Sequence, residues 1–233
     1  MMYMRKLVLL TTLLVLTASA FAQKKDYLYT LETDKGKLEF VLYDETPLHK
    51  ANFEKLVKSG FYNGLLFHRV IQNFMIQGGD PNSKNAEKEA RLGSGGGDME
   101  RTPFEYHPAR YHKKGVIAAA RDNNPEKKSS ACQFYIVQGK KFTDTELDAF
   151  ENKNGVKYTE DQRTVYKTLG GTPHLDKNYT VFGEVVSGLI LVDKIAAEKT
   201  DSFNRPEADQ KMKISMKKMK RKKITKKYGY SYL

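Results

Sequence analysis

With 233 residues, 39% hydrophobic and 11% aromatic, the chain can bury a sizeable core in one domain with extensions, or in two small ones at most. Cys132 is the only cysteine, which excludes an intrachain disulfide and makes a small buried core residue its simplest reading. The net charge of +12 sits at the ends: residues 1–22 carry two basic residues and 211–233 carry ten, neither stretch has an acid, and the 28 basic residues between them balance all 28 acids, which excludes a chain basic throughout.

The first residues read as a processing signal. Arg5 and Lys6 precede an apolar run, Leu7 to Leu16, that is too short to span a bilayer comfortably, and Ala20-Phe21-Ala22 supplies a small-x-small cleavage site. Cleavage after Ala22 gives a mature chain from Gln23. No cysteine stands directly after the cleavage site, so a lipoprotein anchor is not expected, and the later apolar runs are strand-length or amphipathic.

Tyr27–Thr33 and Lys37–Tyr43 flank an Asp34-Lys35-Gly36 turn, and Leu38, Phe40 and Leu42 alternate with mostly polar neighbours, which predicts a hairpin with one buried face. Thr46-Pro47 looks like an N-cap followed by proline at the first helical position. Phe53, Leu56 and Val57 share a helical face, and Gly60 falls where a C-terminal cap belongs. Leu65–Ile76, rich in β-branched and aromatic residues, predicts two strands or one bent strand. Residues 81–102 predict a long loop. Its Gly93-Ser94-Gly95-Gly96-Gly97 cluster lacks the strand, helix and lysine of a phosphate cradle and reads as a flexible loop.

Gly115–Ala120, Gln133–Gln138 and Tyr179–Val185 predict further strands. Leu189, Val192, Ile195 and Ala196 have helical spacing, and Met212, Ile214 and Met216 look like a closing strand, leaving about 220–233 loose. Thr143-Asp-Thr-Glu146 and Thr159-Glu-Asp-Gln162 are capping boxes, separated by Asn154-Gly155 and ended by Gly170-Gly171. Residues 143–171 are therefore expected to form a small helical hairpin inserted between strands. Many strands with few helices point to a barrel or sandwich.

Three stretches carry a resemblance. Phe67-His-Arg-Val-Ile-Gln-Asn-Phe-Met-Ile-Gln-Gly-Gly-Asp-Pro81, then Gly115-Val-Ile-Ala-Ala-Ala-Arg121 with Ala131-Cys-Gln-Phe-Tyr-Ile136, then Leu175-Asp-Lys-Asn-Tyr-Thr-Val-Phe-Gly-Glu-Val185, resemble in order the signature blocks of the cyclophilins. The similarity spans roughly 27–218, the insertion set aside. It implies a mainly β fold, a closed eight-stranded antiparallel β-barrel capped by two helices, here with the inserted helical hairpin. The chain then divides into a signal peptide (1–22), an isomerase domain (23–219) and a basic C-terminal tail (220–233). The implied activity is peptidyl-prolyl cis/trans isomerisation of proline-containing unfolded or partly folded polypeptides, without cofactor or metal. A monomer is expected, exported to the periplasm or secreted.

The residue types suit that chemistry. Peptide rotation has a barrier of about 18–20 kcal/mol, and X–Pro bonds exchange over tens to hundreds of seconds. A catalyst needs an apolar socket for the proline ring, a grip on one flank, and stabilisation of the twisted state, whose pyramidal nitrogen gains a lone pair. A fixed cationic donor aimed at that nitrogen favours the transition state over either ground state. Arginine stays protonated, and its planar fork reaches a nitrogen and a carbonyl together.

By resemblance Arg69 is that donor and Gln77 orients it. Phe74, Met75, Tyr135 and Leu175 line the proline pocket, Ala120, Arg121 and Gln133 bind the residues before proline, and His68 and Tyr179 lie on the rim. An isolated Arg69 would by default be a surface ion pair, and Phe74, Met75 and Tyr135 could be plain core. His68 invites an acid/base role, yet the reaction transfers no proton, so contact is its implied part. His68, His112 and His174 match no recognised metal-ligand spacing. His174 stands where many eukaryotic cyclophilins have a tryptophan that supports cyclosporin binding, which implies weak cyclosporin binding. Tyr135 replaces a phenylalanine, its hydroxyl expected to point outward. The insertion precedes His174 and is expected beside the pocket, narrowing or extending substrate choice.

Two other readings stay open. One is a cyclophilin-fold chaperone or peptide-binding module with little turnover. The other gives the basic tail the main role, on an anionic envelope surface; an export signal argues against nucleic acid in vivo.

Overall fold

A computed structural model describes residues 24–233, so the expected signal segment and the expected cleavage after Ala22 lie outside the described residues. Two compact units are present among the described residues, Leu28–Lys217 and the stretches 24–27 and 218–233 together.

The strands are β1 (Lys25–Thr33), β2 (Gly36–Leu42), β3 (Arg69–Ile71), β4 (Met75–Gly78), β5 (Val116–Ala119), β6 (Phe134–Val137), β7 (Val181–Ser187) and β8 (Lys213–Lys220). The helices are α1 (Pro47–Lys58), α2 (Asp144–Asn154), α3 (Glu160–Thr168), α4 (Ile190–Ala196) and α5 (Arg221–Tyr228). The strands form one eight-stranded sheet in the order β3-β4-β6-β5-β7-β2-β1-β8. The expected hairpin is β1–β2, registered from Tyr29 opposite Phe40 to Thr33 opposite Gly36.

The closed barrel needs correction. β3 and β8 end the order and share no regular ladder. Residues 61–68 are rich in turns, with Gly64 at a φ of +84°, and such backbone cannot carry one. Three backbone bonds join the segments leading into the two end strands instead: Gly64 N–H to Met212 O at 2.9 Å, Met212 N–H to Leu65 O at 2.8 Å, and Phe67 N–H to Gln210 O at 2.9 Å.

Phe53 of α1 centres the core. Its ring lies 4.9 Å from Tyr62, 5.4 Å from both Phe134 and Phe182, and 5.9 Å from Phe40. Truncating such a side chain typically costs about 3–5 kcal/mol. Pro47 starts α1 as expected, but Thr46 makes no capping bond. The Glu105 carboxylate caps the helix instead, accepting from Leu48 N–H and His49 N–H at 3.0 Å each. At the other end Gly60, φ +72°, closes the helix.

The inserted hairpin is present. Thr143 and Thr159 each form a complete capping box, and Gly155 ends α2 in the left-handed conformation. Leu147, Tyr158 and Tyr166 pack with Phe142 as a core of its own. Arg163 of α3 ties back to α2 through Asp144 at 3.0 Å, Asp148 at 2.9 Å and Glu151 at 3.1 Å.

The stretch after residue 220 was expected to be loose and is not. Residues 221–228 form α5, with Ile224 fully buried, and Gly229 closes it in the left-handed conformation. Arg221 pairs with Asp26 at 3.3 Å and lies 4.2 Å from the Tyr232 ring. Alternating one apolar residue with lysines lets a short segment bury one side and solvate the rest.

Candidate active site

Antiparallel pairing brings the predicted residues into one row. Arg69 of β3 lies opposite Gln77 of β4, Gln77 opposite Tyr135 of β6, and Tyr135 opposite Ala118 of β5. Paired residues share a face and successive residues alternate. The intervening Val70, Ile76, Ile136 and Ile117 are 0–1% exposed and form the core side.

A directed chain of hydrogen bonds runs along this row. Arg69 Nη1 donates to Gln77 Oε1 at 3.2 Å, Gln77 Nε2 donates to Gln133 Oε1 at 3.1 Å, and Gln133 Nε2 donates to the carbonyls of Gly93 at 2.9 Å and Gly95 at 3.0 Å. Both amide orientations follow from the chain. Among the described residues no carboxylate pairs with Arg69, so the default surface ion pair does not apply. Its guanidinium is half-buried, 6.0 Å from the Phe74 ring, and burial lowers its proton affinity from the ordinary value. It remains a cation with donors to spare.

The glycine loop is anchored rather than flexible. The fully buried Asp80 carboxylate accepts from Asn82 N–H at 2.8 Å, from Gly95 N–H at 3.3 Å and from Gly93 N–H. A Cβ at Gly95 would overlap Asp80, and Gly79, φ +93°, would bring one onto the Cys132 carbonyl. These close approaches explain the glycines in and opposite Gly78-Gly79-Asp80. With Gln77, Gln133, Ala120 and Arg121 the loop walls a cleft of about 400 Å3.

Met75 and Tyr135 are 1% and 4% exposed, while Phe74, Leu175 and Tyr179 are half-buried. Tyr179 meets Tyr135 edge-on at 6.1 Å, and Arg121 lies 4.7 Å from the Tyr179 ring while donating to Asn178 O at 2.9 Å. Ala120 donates its N–H to Gln133 O at 2.9 Å. His174 is exposed on a short turn, Pro173–Leu175, its ring 5.5 Å from Phe74 and 6.0 Å from Phe150 of α2. The insertion does lie beside the predicted pocket.

Two expectations are corrected. His68 is 3% exposed rather than on the rim, and burial pushes its imidazole down to about 4. The neutral ring borders a separate cavity of about 560 Å3 that it shares with Arg69. The Tyr135 hydroxyl points inward, 3.0 Å from His112 Nε2. His112 Nδ1 lies 2.7 Å from Asp176 Oδ1, so in the neutral ring Nδ1 keeps the proton and Nε2 accepts from Tyr135. Asp176, 4% exposed, also accepts from Tyr158 at 2.7 Å and from Tyr166, both in the hairpin.

The family model described as cyclophilin type peptidyl-prolyl cis-trans isomerase/CLD matches residues 28–218. The chain belongs to the cyclophilin family. Cis/trans isomerisation of X–Pro peptide bonds is its activity.

This cyclophilin is 32% identical over 179 residues to a protein of Staphylococcus saprophyticus named as a peptidyl-prolyl cis-trans isomerase, covering 76% of this chain and 84% of the other. It is 34% identical over 187 residues to a Streptococcus pyogenes protein named as a bifunctional phosphatase/peptidyl-prolyl cis-trans isomerase, covering 77% of this chain but only 36% of that longer one. A Cryptosporidium parvum cyclophilin type isomerase matches it in fold, with a TM-score of 0.60, 22% identity, and 83% and 98% of the two chains covered.

Sequence reasoning passed over Asp80 and Asp176 as site residues. Asp80 was visible as an acid closing an apolar and glycine-rich block, a position where a carboxylate needs several donors, whereas Asp176, followed by Lys177 and Asn178, carried no such signal.

Proposed function

We propose that this cyclophilin twists X–Pro bonds with Arg69 as the donor to the pyramidal nitrogen and Gln77 as its positioning partner. The supporting observation is a half-buried guanidinium fixed by Gln77 and paired with no carboxylate among the described residues. The cation acts without proton transfer or covalent chemistry, and the neutral buried His68 takes no acid/base part. Phe74, Met75, Tyr135 and Leu175 bound the proline socket. Gln133, Ala120 and Arg121 take the residues before proline in the adjoining cleft, and unfolded or partly folded chains containing proline are the substrates. Exchange spectroscopy on an Ala-Pro peptide tests the assignment. Arg69→Ala should lose about 10²–10³ in rate, the scale for removing one transition-state donor, while keeping peptide affinity. Unchanged turnover refutes it, and a wild type that binds without turnover favours the chaperone reading.

The leader sequence supports a periplasmic or secreted protein assisting folding in the cell envelope, and we propose a monomer; fractionation tests the first and sedimentation the second. Lys222, Lys223, Lys226 and Lys227 are exposed on α5, which favours contact with an anionic envelope surface. Because Ile224 and Tyr230 are buried, the sound test replaces the four lysines by glutamine rather than truncating. Unchanged retention on vesicles rich in anionic lipid removes the idea.

A further inference from the structure

We infer that the groove between Phe74 and the inserted hairpin is a subsite for a large, uncharged apolar side chain carried by the substrate just after its proline. The inference rests on the isomerase assignment above.

The groove, about 370 Å3, is lined by Phe74 and His174, by Phe150 of the hairpin and by Phe142 just before it. It continues the proline socket through Phe74, whose ring lies tilted against His174, which in turn lies tilted against Phe150. A single aromatic row thus leaves the socket and climbs onto the insertion. At the rim Lys140 and Glu146 pair at 3.1 Å, and the lysine lies 5.0 Å from the Phe142 ring. The rim charges cancel, so an apolar occupant meets no unpaired charge.

Direction follows from β4. Gln77, near its end, adjoins the polar cleft with Gln133 and Arg121, while Phe74 immediately precedes its start and opens on the groove. A peptide laid along β4 with its leading residues in the cleft sends its trailing residues to the groove. The wall is preformed: α2 and α3 have their own core, and Tyr158 and Tyr166 bond to Asp176, the residue after Leu175. A preformed wall takes a side chain with little ordering cost.

The test compares Ala-Pro peptides with phenylalanine or alanine at the first and second positions after proline, using wild type and Phe150→Ala. The ratio of kcat/KM between the phenylalanine and alanine peptides should be roughly tenfold in the wild type, as partial burial of an aromatic ring warrants, and should fall toward one in Phe150→Ala. Phe150→Leu should retain part of it and guards against misfolding. Phenylalanine before proline should show no dependence on Phe150. A wild-type ratio near one, or a ratio that survives Phe150→Ala, overturns the assignment. Calorimetric affinities of the same peptides read the groove even without turnover, so failure of the isomerase assignment, seen with Arg69→Ala, is distinguishable. Self-association of the wild type that Phe150→Ala abolishes would assign the groove to a second copy and likewise overturn it.

Discussion

Arg69 reaches Gln77 across a single rung of the β3–β4 ladder, and the bond lies on the solvent-side face of strands whose other face is core. Backbone pairing therefore sets where the guanidinium points, and Gln77 removes the remaining rotamer freedom. Gln77→Ala frees Arg69 and also strands Gln133. The expected result is a loss of about tenfold to a hundredfold in kcat/KM, the scale of a displaced catalytic group, with the Arg69 cation still present. Arg69→Lys keeps the charge but not the fork and should also lose activity. Exchange spectroscopy on a proline peptide measures both.

Tyr135→Phe restores an apolar ring but leaves His112 Nε2 buried without its donor. Stability should fall by about 1–3 kcal/mol, the cost of an unsatisfied buried polar group. Tyr166→Phe should cost a similar amount. Because both act through Asp176 and His112, the double variant should be non-additive. Urea unfolding of the four proteins reads the coupling, and strict additivity would show that the two bonds are independent.

The buried His68 predicts acid lability. Its folded-state pKa, about 4, lies below the unfolded value of 6.5. The unfolded chain therefore binds a proton that the folded chain refuses, and stability falls as pH drops from 6.5 to about 4. At about 1.4 kcal/mol per unit the loss approaches 3 kcal/mol. His68→Phe should flatten this limb in urea midpoints taken between pH 7 and 4; an equally steep limb in the variant contradicts the assignment.

Cyclosporin should inhibit this protein weakly, because His174 offers an imidazole against Phe74 and Phe150 rather than an indole. His174→Trp should raise affinity at least tenfold with isomerase activity retained. Nanomolar inhibition of the wild type contradicts this.

Local chemistry was readable wherever it sat within a few residues. The two capping boxes specified both hairpin helices, and Phe53, Leu56 and Val57 specified the buried face of α1. Long-range partners were not readable. Glu105 caps α1 from 57 residues away, so Thr46-Pro47 advertised a cap that the fold supplies differently. The Tyr135 hydroxyl turned inward because His112, 23 positions earlier, meets it, and no periodicity encodes that. α5 was hidden because lysines dominate its composition, whereas one buried isoleucine decides its packing.

Asp176 joins the Leu175–Val185 block to the inserted hairpin, and that has a consequence for sequence drift. Two of its donors, Tyr158 and Tyr166, arrive with the insertion, and the third, His112, serves Tyr135. A relative that lost the hairpin would leave this carboxylate short of partners, and selection would then favour replacing His112 and returning position 135 to phenylalanine. Tyr158, Tyr166, His112 and Tyr135 should therefore vary together, with tyrosine at position 135 accompanying the insertion.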